Sequence, residues 1–300
     1  MRMDLQSFFT SSLGTGSLMW LGHNLPRPVA LPLARLSASL ISRRSRSALV
    51  RSIKLNQSVA RDLPLDAPEL DPIVRRVLYN AARGYYESYN RIARGWEAVQ
   101  ESFTFGPELF AMLHDAQSTG RGIVVVAPHL GNLDLGLAGF AAEGYDIQAI
   151  TYEVVPGGYD LQNRMREGSG YIITPADAEA AKMAFERLRR GGIVLTGMDR
   201  PLPNGARTVR FFGRPAPLPT GYIRLALSTD SLIFVVWMES VADGYCARAV
   251  GPIDLVRTGS RFEDAVVNAE KVLEIAAEKI RAQPDEWMMF HPVWPQLMPN

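Results

Sequence analysis

The chain has one cysteine, Cys246, in 300 residues. A single thiol excludes an internal disulfide framework and a cysteine-rich zinc site, and it suits a reducing compartment. Histidine is nearly as scarce. His23, His114, His129 and His291 are scattered, with no spacing that suits a metal. Charge is balanced, with 32 Lys plus Arg against 31 Asp plus Glu, so no global field draws the protein to nucleic acid. Long apolar runs are missing too. The stretch GSLMWLGHNLPRPVALPLARLSASLI, residues 16 to 41, is broken by His23, Arg27, Arg35 and three prolines. A spanning helix needs about 20 mostly apolar residues, so this stretch reads as one that lies in a membrane interface, Trp20 and the leucines down and the arginines up. The alternative is a helix packed on the domain. Neither reading makes the start of the chain a secretory signal.

Several phosphate and nucleophile signatures are also absent. There is no G-x-S-x-G elbow, no G-x-G-x-x-G after a strand and no P-loop. An α/β-hydrolase serine and a dinucleotide or NTP cradle therefore lack support. No internal repeat or low-complexity tract occurs.

What is present is a globular composition, 47% hydrophobic and 21% charged. Residues 1–117 read as helical: DPIVRRVLYNAARGYYESYNRIARGW sets Ile73, Val74, Val77, Leu78 and Ala81 at helical spacing, and GPELFAMLHDAQ is a second helix. From residue 118 to 300 strands alternate with helices. GIVVVAP, DIQAITY, GYIIT, IVLTGM, TVRFFG and SLIFVVWMES read as strands. NLDLGLAGFAAEG, DAEAAKMAFERLRRGG (capped by Asp177) and RFEDAVVNAEKVLEIAAEKIRAQ read as helices. The expected fold is α/β: a mixed, mostly parallel central sheet flanked by helices, after a helical N-terminal region.

The segment VVVAPHLGNLDLGLAGF, residues 124 to 140, carries the chemistry. Pro128 cannot continue a strand ladder, so His129 falls just past the carboxyl end of a buried strand, where open α/β sheets bind ligands. On one unbroken helix His129 and Asp134 would point about 140° apart. Gly131 and Asn132 allow a bend, with Asn132 as helix N-cap and Asp134 in the first turn. Asp134 is then expected to orient the His129 ring and leave its other nitrogen free to take a proton. The plainer alternative is a histidine that only finishes a strand, with Asp134 as a helix-dipole partner. With no protein nucleophile in sight, such a base would activate a hydroxyl on a substrate.

PHLGNLDL resembles the H-x-x-x-x-D motif of the glycerolipid and lysophospholipid acyltransferase superfamily. The likeness continues in order through RMREGSGYIIT, GIVLTGMDRP and VRFFGRPAPLPTGYIRLAL. PDEWMMFHPVWP looks like the C-terminal ending of the bacterial lipid A biosynthesis branch, and LNQSV and YYESYN fit that branch more loosely. Lipid A enzymes usually carry Glu where Asp134 stands. That difference, with Asp-Arg in the second block, looks more like the phosphatidylinositol mannoside acyltransferases.

The resemblance implies transfer of an acyl group from a thioester, acyl-CoA or acyl carrier protein, to a hydroxyl of a glycolipid or phospholipid. It implies no cofactor, no metal, and a peripheral or monotopic place on the cytoplasmic face of a bacterial plasma membrane. It assigns His129 and Asp134 to catalysis and puts Asn132 among the substrate-binding residues. Arg166, Arg200 and Arg214 become candidate anion contacts, against solvated surface arginines. Asp199 either pairs with Arg200 or binds an acceptor hydroxyl. Phe211, Phe212 and Gly213 either wall the acyl site or, for the two rings, belong to an ordinary strand core. Backbone N–H groups at Gly131 or Gly213, or a nearby arginine, are candidates for the oxyanion. Trp287, Met288, Met289, Phe290 and Trp294 are either a lipid contact or a buried pin for the C-terminus. His291 reads as a loop histidine and Cys246 as structural. Two other functions fit the same residues: a thioesterase or lipid hydrolase, in which the base activates water, and a non-catalytic lipid-binding protein.

Overall fold

The computed structural model describes residues 20–151, 171–202 and 206–298. Its centre is a seven-stranded mixed sheet of order β1-β9-β8-β2-β5-β3-β4. The strands are β1 (Phe103–Phe105), β2 (Ile123–Ala127), β3 (Ile147–Thr151), β4 (Tyr171–Pro175), β5 (Ile193–Gly197), β8 (Leu232–Val241) and β9 (Gly244–Val250). β2, β3, β4, β5 and β8 run parallel, while β9 returns antiparallel to β8 and pairs in parallel with β1. A separate hairpin joins β6 (Arg207–Phe211) to β7 (Arg214–Leu218). β1 lies inside the N-terminal helical region and completes one edge of the sheet beside β9.

β2 is buried on both faces, as an unbroken Ile-Val-Val-Val-Ala run requires. Val124 and Val126 face one core with Val194, Ile233 and Val235. Ile123 and Val125 face the other, with Phe140, Ile147 and Phe234. Helices α5 (Pro107–Ser118) and α6 (Leu133–Ala142) cover the second face through Leu109, Leu113, Leu137 and Phe140. Helices α7 (Ala178–Arg189), α8 (Gly221–Thr229) and α9 (Arg261–Ala282) cover the first, through Ala184 and Leu188, Ile223 and Ala226, and Val272, Leu273, Ala276 and Ile280. After β2 the chain therefore leaves toward one face. After neighbouring β5 it runs through the hairpin to α8 on the other. Adjacent parallel strands whose connections part to opposite faces open a crevice at their carboxyl ends.

The N-terminal region consists of α1 (Arg27–Ser42), α2 (Ala48–Arg61), α3 (Leu70–Ala93) and the short α4 (Trp96–Glu101), of which α3 and α4 pack against α6. α1 turns its small side to the protein: Ala30, Ala34 and Ala38 are buried. Its large side chains face outward, with Val29, Leu33, Leu36 and Leu40 all 45% exposed or more. Among the described residues no helix is long and apolar enough to cross a membrane. The LNQSV stretch lies on α2, where Asn56 and Gln57, each 1% exposed, fasten the C-terminal tail. The Asn56 amide donates to the carbonyls of Met289 (2.9 Å) and His291 (2.8 Å) and accepts from Val293 N–H (3.0 Å). Gln57 donates to the Pro284 carbonyl at 2.8 Å. The tail is thus a pin rather than a lipid contact: Trp287, Met289 and Trp294 are buried, with Met288 and Phe290 half-buried.

Candidate active site

The register of β2 and β5 sets the site. The two strands pair from Ile123 opposite Ile193 to Ala127 opposite Gly197. Two residues beyond each strand end stand His129 and Asp199, side by side at the carboxyl edge of the sheet. His129 Nδ1 and Asp199 Oδ1 lie 2.6 Å apart. Asp199 Oδ2 accepts the His129 backbone N–H at 2.9 Å and the Trp287 indole N–H at 2.8 Å. Asp199 is fully buried, while the His129 side chain is 35% exposed. An ionised carboxylate at Nδ1 holds the proton there and leaves Nε2 as the nitrogen that can take one from solvent or substrate.

The carboxylate on the imidazole is therefore Asp199, where the H-x-x-x-x-D spacing had pointed to Asp134. Asp134 sits half-buried in the first turn of α6, with its charge facing the phenol of Tyr85 on α3; burial first, and then that charge, push the Tyr85 ionisation up. Asp199, expected to pair with Arg200 or to bind an acceptor hydroxyl, has its carboxylate on the His129 ring and on the Trp287 indole.

The turn that carries His129 is gripped on two sides. Met238 of β8 donates to the Leu130 carbonyl at 3.3 Å. On the other side Gly131 N–H donates to the Glu286 carbonyl (2.9 Å), Met288 N–H donates to the His129 carbonyl (2.7 Å), and Leu130 bridges to Trp287. Gly131 has a φ of +71°, and a Cβ on it would lie 2.3 Å from the Met238 carbonyl oxygen, so the turn requires glycine. Its N–H is spent on Glu286 and is not free for an oxyanion. Asn132 caps α6 as expected: its Oδ1 accepts Leu135 N–H (3.2 Å) and the Ser88 hydroxyl (2.7 Å), while its amide donates to the Gly84 carbonyl (3.0 Å). Asn132, expected among the substrate-binding residues, is buried and engaged at both ends, where it ties α6 to α3.

The remaining candidates separate. Arg200 follows Asp199, half-buried, and its charge reaches His291. His291 also lies within the field of His129; burial, then Arg200 and His129, push its imidazole down to about 4, so it is neutral near pH 7. Sequence reasoning left His291 as a loop residue, yet the tail places it beside the site. Phe211 is 1% exposed and stacks on Trp294 (5.8 Å between centroids), so it is core aromatic rather than acyl wall. Phe212 is half-buried and stacks on Trp287 at 5.8 Å, with the Arg281 guanidinium 4.8 Å over its ring. Phe212 and Gly213, both at positive φ, form the two-residue hairpin turn between β6 and β7. Gly213 and the neighbouring Arg214 are exposed there. Arg166 lies outside the described residues. Among the described residues no three His, Cys, Asp or Glu side chains converge as a metal set.

Chemically, a buried carboxylate and a part-exposed imidazole held through Nδ1 at the strand ends are the parts of a general base. Comparison with known proteins agrees in class. Residues 2–296 match the family model described as bacterial lipid A biosynthesis acyltransferase. A phosphatidylinositol mannoside acyltransferase of Mycolicibacterium smegmatis is 26% identical over 252 residues, covering 80% of this chain and 79% of that one. Proteins of the same name from two strains of Mycobacterium tuberculosis are 26% identical over 188 residues, covering 61% of this chain and 57% of theirs. With a match running almost end to end, the chain belongs to the bacterial lipid A biosynthesis acyltransferase family, and it is an acyltransferase.

Proposed function

We propose that this enzyme moves a fatty acyl group from an acyl thioester, acyl-CoA or acyl carrier protein, to a hydroxyl of a glycolipid or phospholipid at a membrane surface. His129 Nε2 takes the proton of the acceptor hydroxyl as its oxygen attacks the thioester carbonyl carbon. The C–S bond then breaks, and the proton passes from Nε2 to the departing thiolate. Asp199 holds the ring in the tautomer with hydrogen on Nδ1 and stabilises the imidazolium between the two transfers. The observation that carries this reading is the 2.6 Å contact of His129 Nδ1 with a fully buried carboxylate. The names of the mycobacterial relatives favour a mannosylated phosphatidylinositol as acceptor.

Membrane contact is assigned to α1. Val29, Leu33, Leu36 and Leu40 recur at spacings of four, three and four, one stripe of a helix whose opposite stripe is alanine. Residues 27 to 46 hold five arginines and no acidic residue, a composition that suits an anionic lipid surface. Trp20, 64% exposed, adds an interfacial aromatic at the same end.

Radiolabelled acyl-CoA offered with phosphatidylinositol mannosides or a lipid A precursor tests the reaction. Acylated lipid is expected, and His129→Ala is expected to lose about 10²- to 10⁴-fold in rate, the worth of a positioned base. Free fatty acid as the sole product would make the enzyme a thioesterase instead. An active His129→Ala protein would end the assignment of the base.

A further inference from the structure

The Trp287 indole touches the catalytic carboxylate from a part of the chain far from either strand end. Of the three N–H groups on Asp199, two belong to His129 itself and move with its turn. The third, Trp287 Nε1 on Oδ2 at 2.8 Å, comes from the C-terminal segment. That indole is held on several sides. It stacks on Phe212 (5.8 Å, 30°), meets Phe211 (6.1 Å, 82°) and Trp294 (6.4 Å, 69°) edge-on, and is 1% exposed. Its own backbone bridges to Leu130, and the residues on either side grip the turn at Gly131 and His129. The Tyr222 hydroxyl lies in the field of Asp199 but is buried without a hydrogen-bond partner, so the indole is the donor that reaches Asp199 from outside the His129 turn.

We propose that Trp287 is a positioning residue for acyl transfer: its indole N–H anchors Oδ2 of Asp199 to the aromatic core, so that Oδ1 stays aimed at His129 Nδ1. The inference rests on the reading of His129 as the base. A buried carboxylate in a low-dielectric site needs a donor for each oxygen, and a donor fixed to a packed ring cluster restricts its rotation more than one riding on a turn does.

The test uses the full chain, with acyl-CoA thiol release and lipid product followed together. Trp287→Phe keeps an aromatic ring and removes the N–H. It is expected to lower kcat about tenfold, the worth of one hydrogen bond to a charged group, with KM unchanged. In an Asp199→Asn background the same change is expected to cost nothing further, because Trp287 acts only through that carboxylate. A tenfold loss that persists in that background marks a packing effect and overturns the proposal, as does a Trp287→Phe enzyme with unchanged kcat. Benzothienylalanine at position 287 keeps the bicyclic shape without the N–H and decides the matter if Trp287→Phe does not fold. An Asp199→Asn enzyme that keeps full kcat would instead fell the reading of the base itself, whatever Trp287 does.

Discussion

Asp199→Asn separates the observed partner of the imidazole from the one that motif spacing names. The substitution is nearly isosteric, but the three donors on Asp199 fix how an amide must sit. His129 N–H and Trp287 Nε1–H converge on Oδ2, so the amide oxygen goes there. The NH₂ group then takes the place of Oδ1, 2.6 Å from His129 Nδ1. An amide donates where a carboxylate accepted. Nδ1 must give up its proton, the hydrogen moves to Nε2, and the nitrogen that should take the acceptor's proton already carries one. Loss of the correct tautomer in a histidine–carboxylate pair costs about 10⁴-fold in the serine protease case. The same loss here, about 10³- to 10⁴-fold in kcat with KM little changed, is expected. Two of the three hydrogen bonds keep their sense and no cavity forms, so the melting temperature is expected to stay within a few degrees. Purified Asp199→Asn and Asp134→Asn proteins would be assayed side by side for thiol release and acylated lipid. The reasoning fails if Asp199→Asn stays within tenfold of the parent enzyme, or if Asp134→Asn is the more damaging of the two.

Gly131→Ala is expected to destabilise the protein by at least about 2 kcal/mol in denaturant titrations, from the left-handed backbone and the approach to the Met238 carbonyl together. Asn56→Ala strands two tail carbonyls and one N–H in a buried place and is expected to cost about 2–4 kcal/mol; protease cleavage of the tail after residue 287 should quicken with it. Leu33→Glu with Leu36→Glu is expected to lower binding to anionic vesicles by at least about tenfold in co-sedimentation while sparing the fold, since both side chains are exposed. His291, held neutral down to about pH 4, binds fewer protons folded than unfolded, so it lends stability above the ordinary histidine range that is lost as pH falls from about 6.5 toward 4. His291→Gln should flatten that part of the curve of unfolding midpoint against pH.

Much of the framework is readable without coordinates because it is locally encoded. Asp177 accepts from Ala180 N–H at the start of α7, as a capping aspartate should, and Gly144 stops α6 at positive φ. The continuous apolar run of β2 and the helical spacing of Ile73, Val74, Val77, Leu78 and Ala81 describe their surroundings correctly. The elements that escaped are those whose local signal contradicts their setting. β7 is RPAPL, and its two prolines read as loop; they are tolerated because the strand belongs to a two-stranded hairpin with little ladder to break. The turn before it uses Phe212 at a φ of +51°, where Asn or Gly would have announced a hairpin. β1, three residues long, exists only because β9 lies beside it.

The site itself was half visible for a related reason. Spacing arguments reach one helical turn, and Asp134 is the acid within that reach. The carboxylate that touches His129 follows another strand and becomes a neighbour only once β2 and β5 pair. Yet the sequence holds a signal of that pairing. GIVVVAPH, residues 122 to 129, and GIVLTGMD, residues 192 to 199, are two versions of one pattern: Gly-Ile-Val, four more residues, then His129 or Asp199. Parallel strands in a common register put equivalent positions side by side, and Ile123 opposite Ile193 carries that equivalence to His129 and Asp199. A buried parallel sheet therefore turns equal counts from two strand starts into a short distance between two strand ends. Trp287 lacks any such signal. It reaches Asp199 by folding back across the carboxyl ends of the strands, held by amides of α2, and its place could be learned only from the packing.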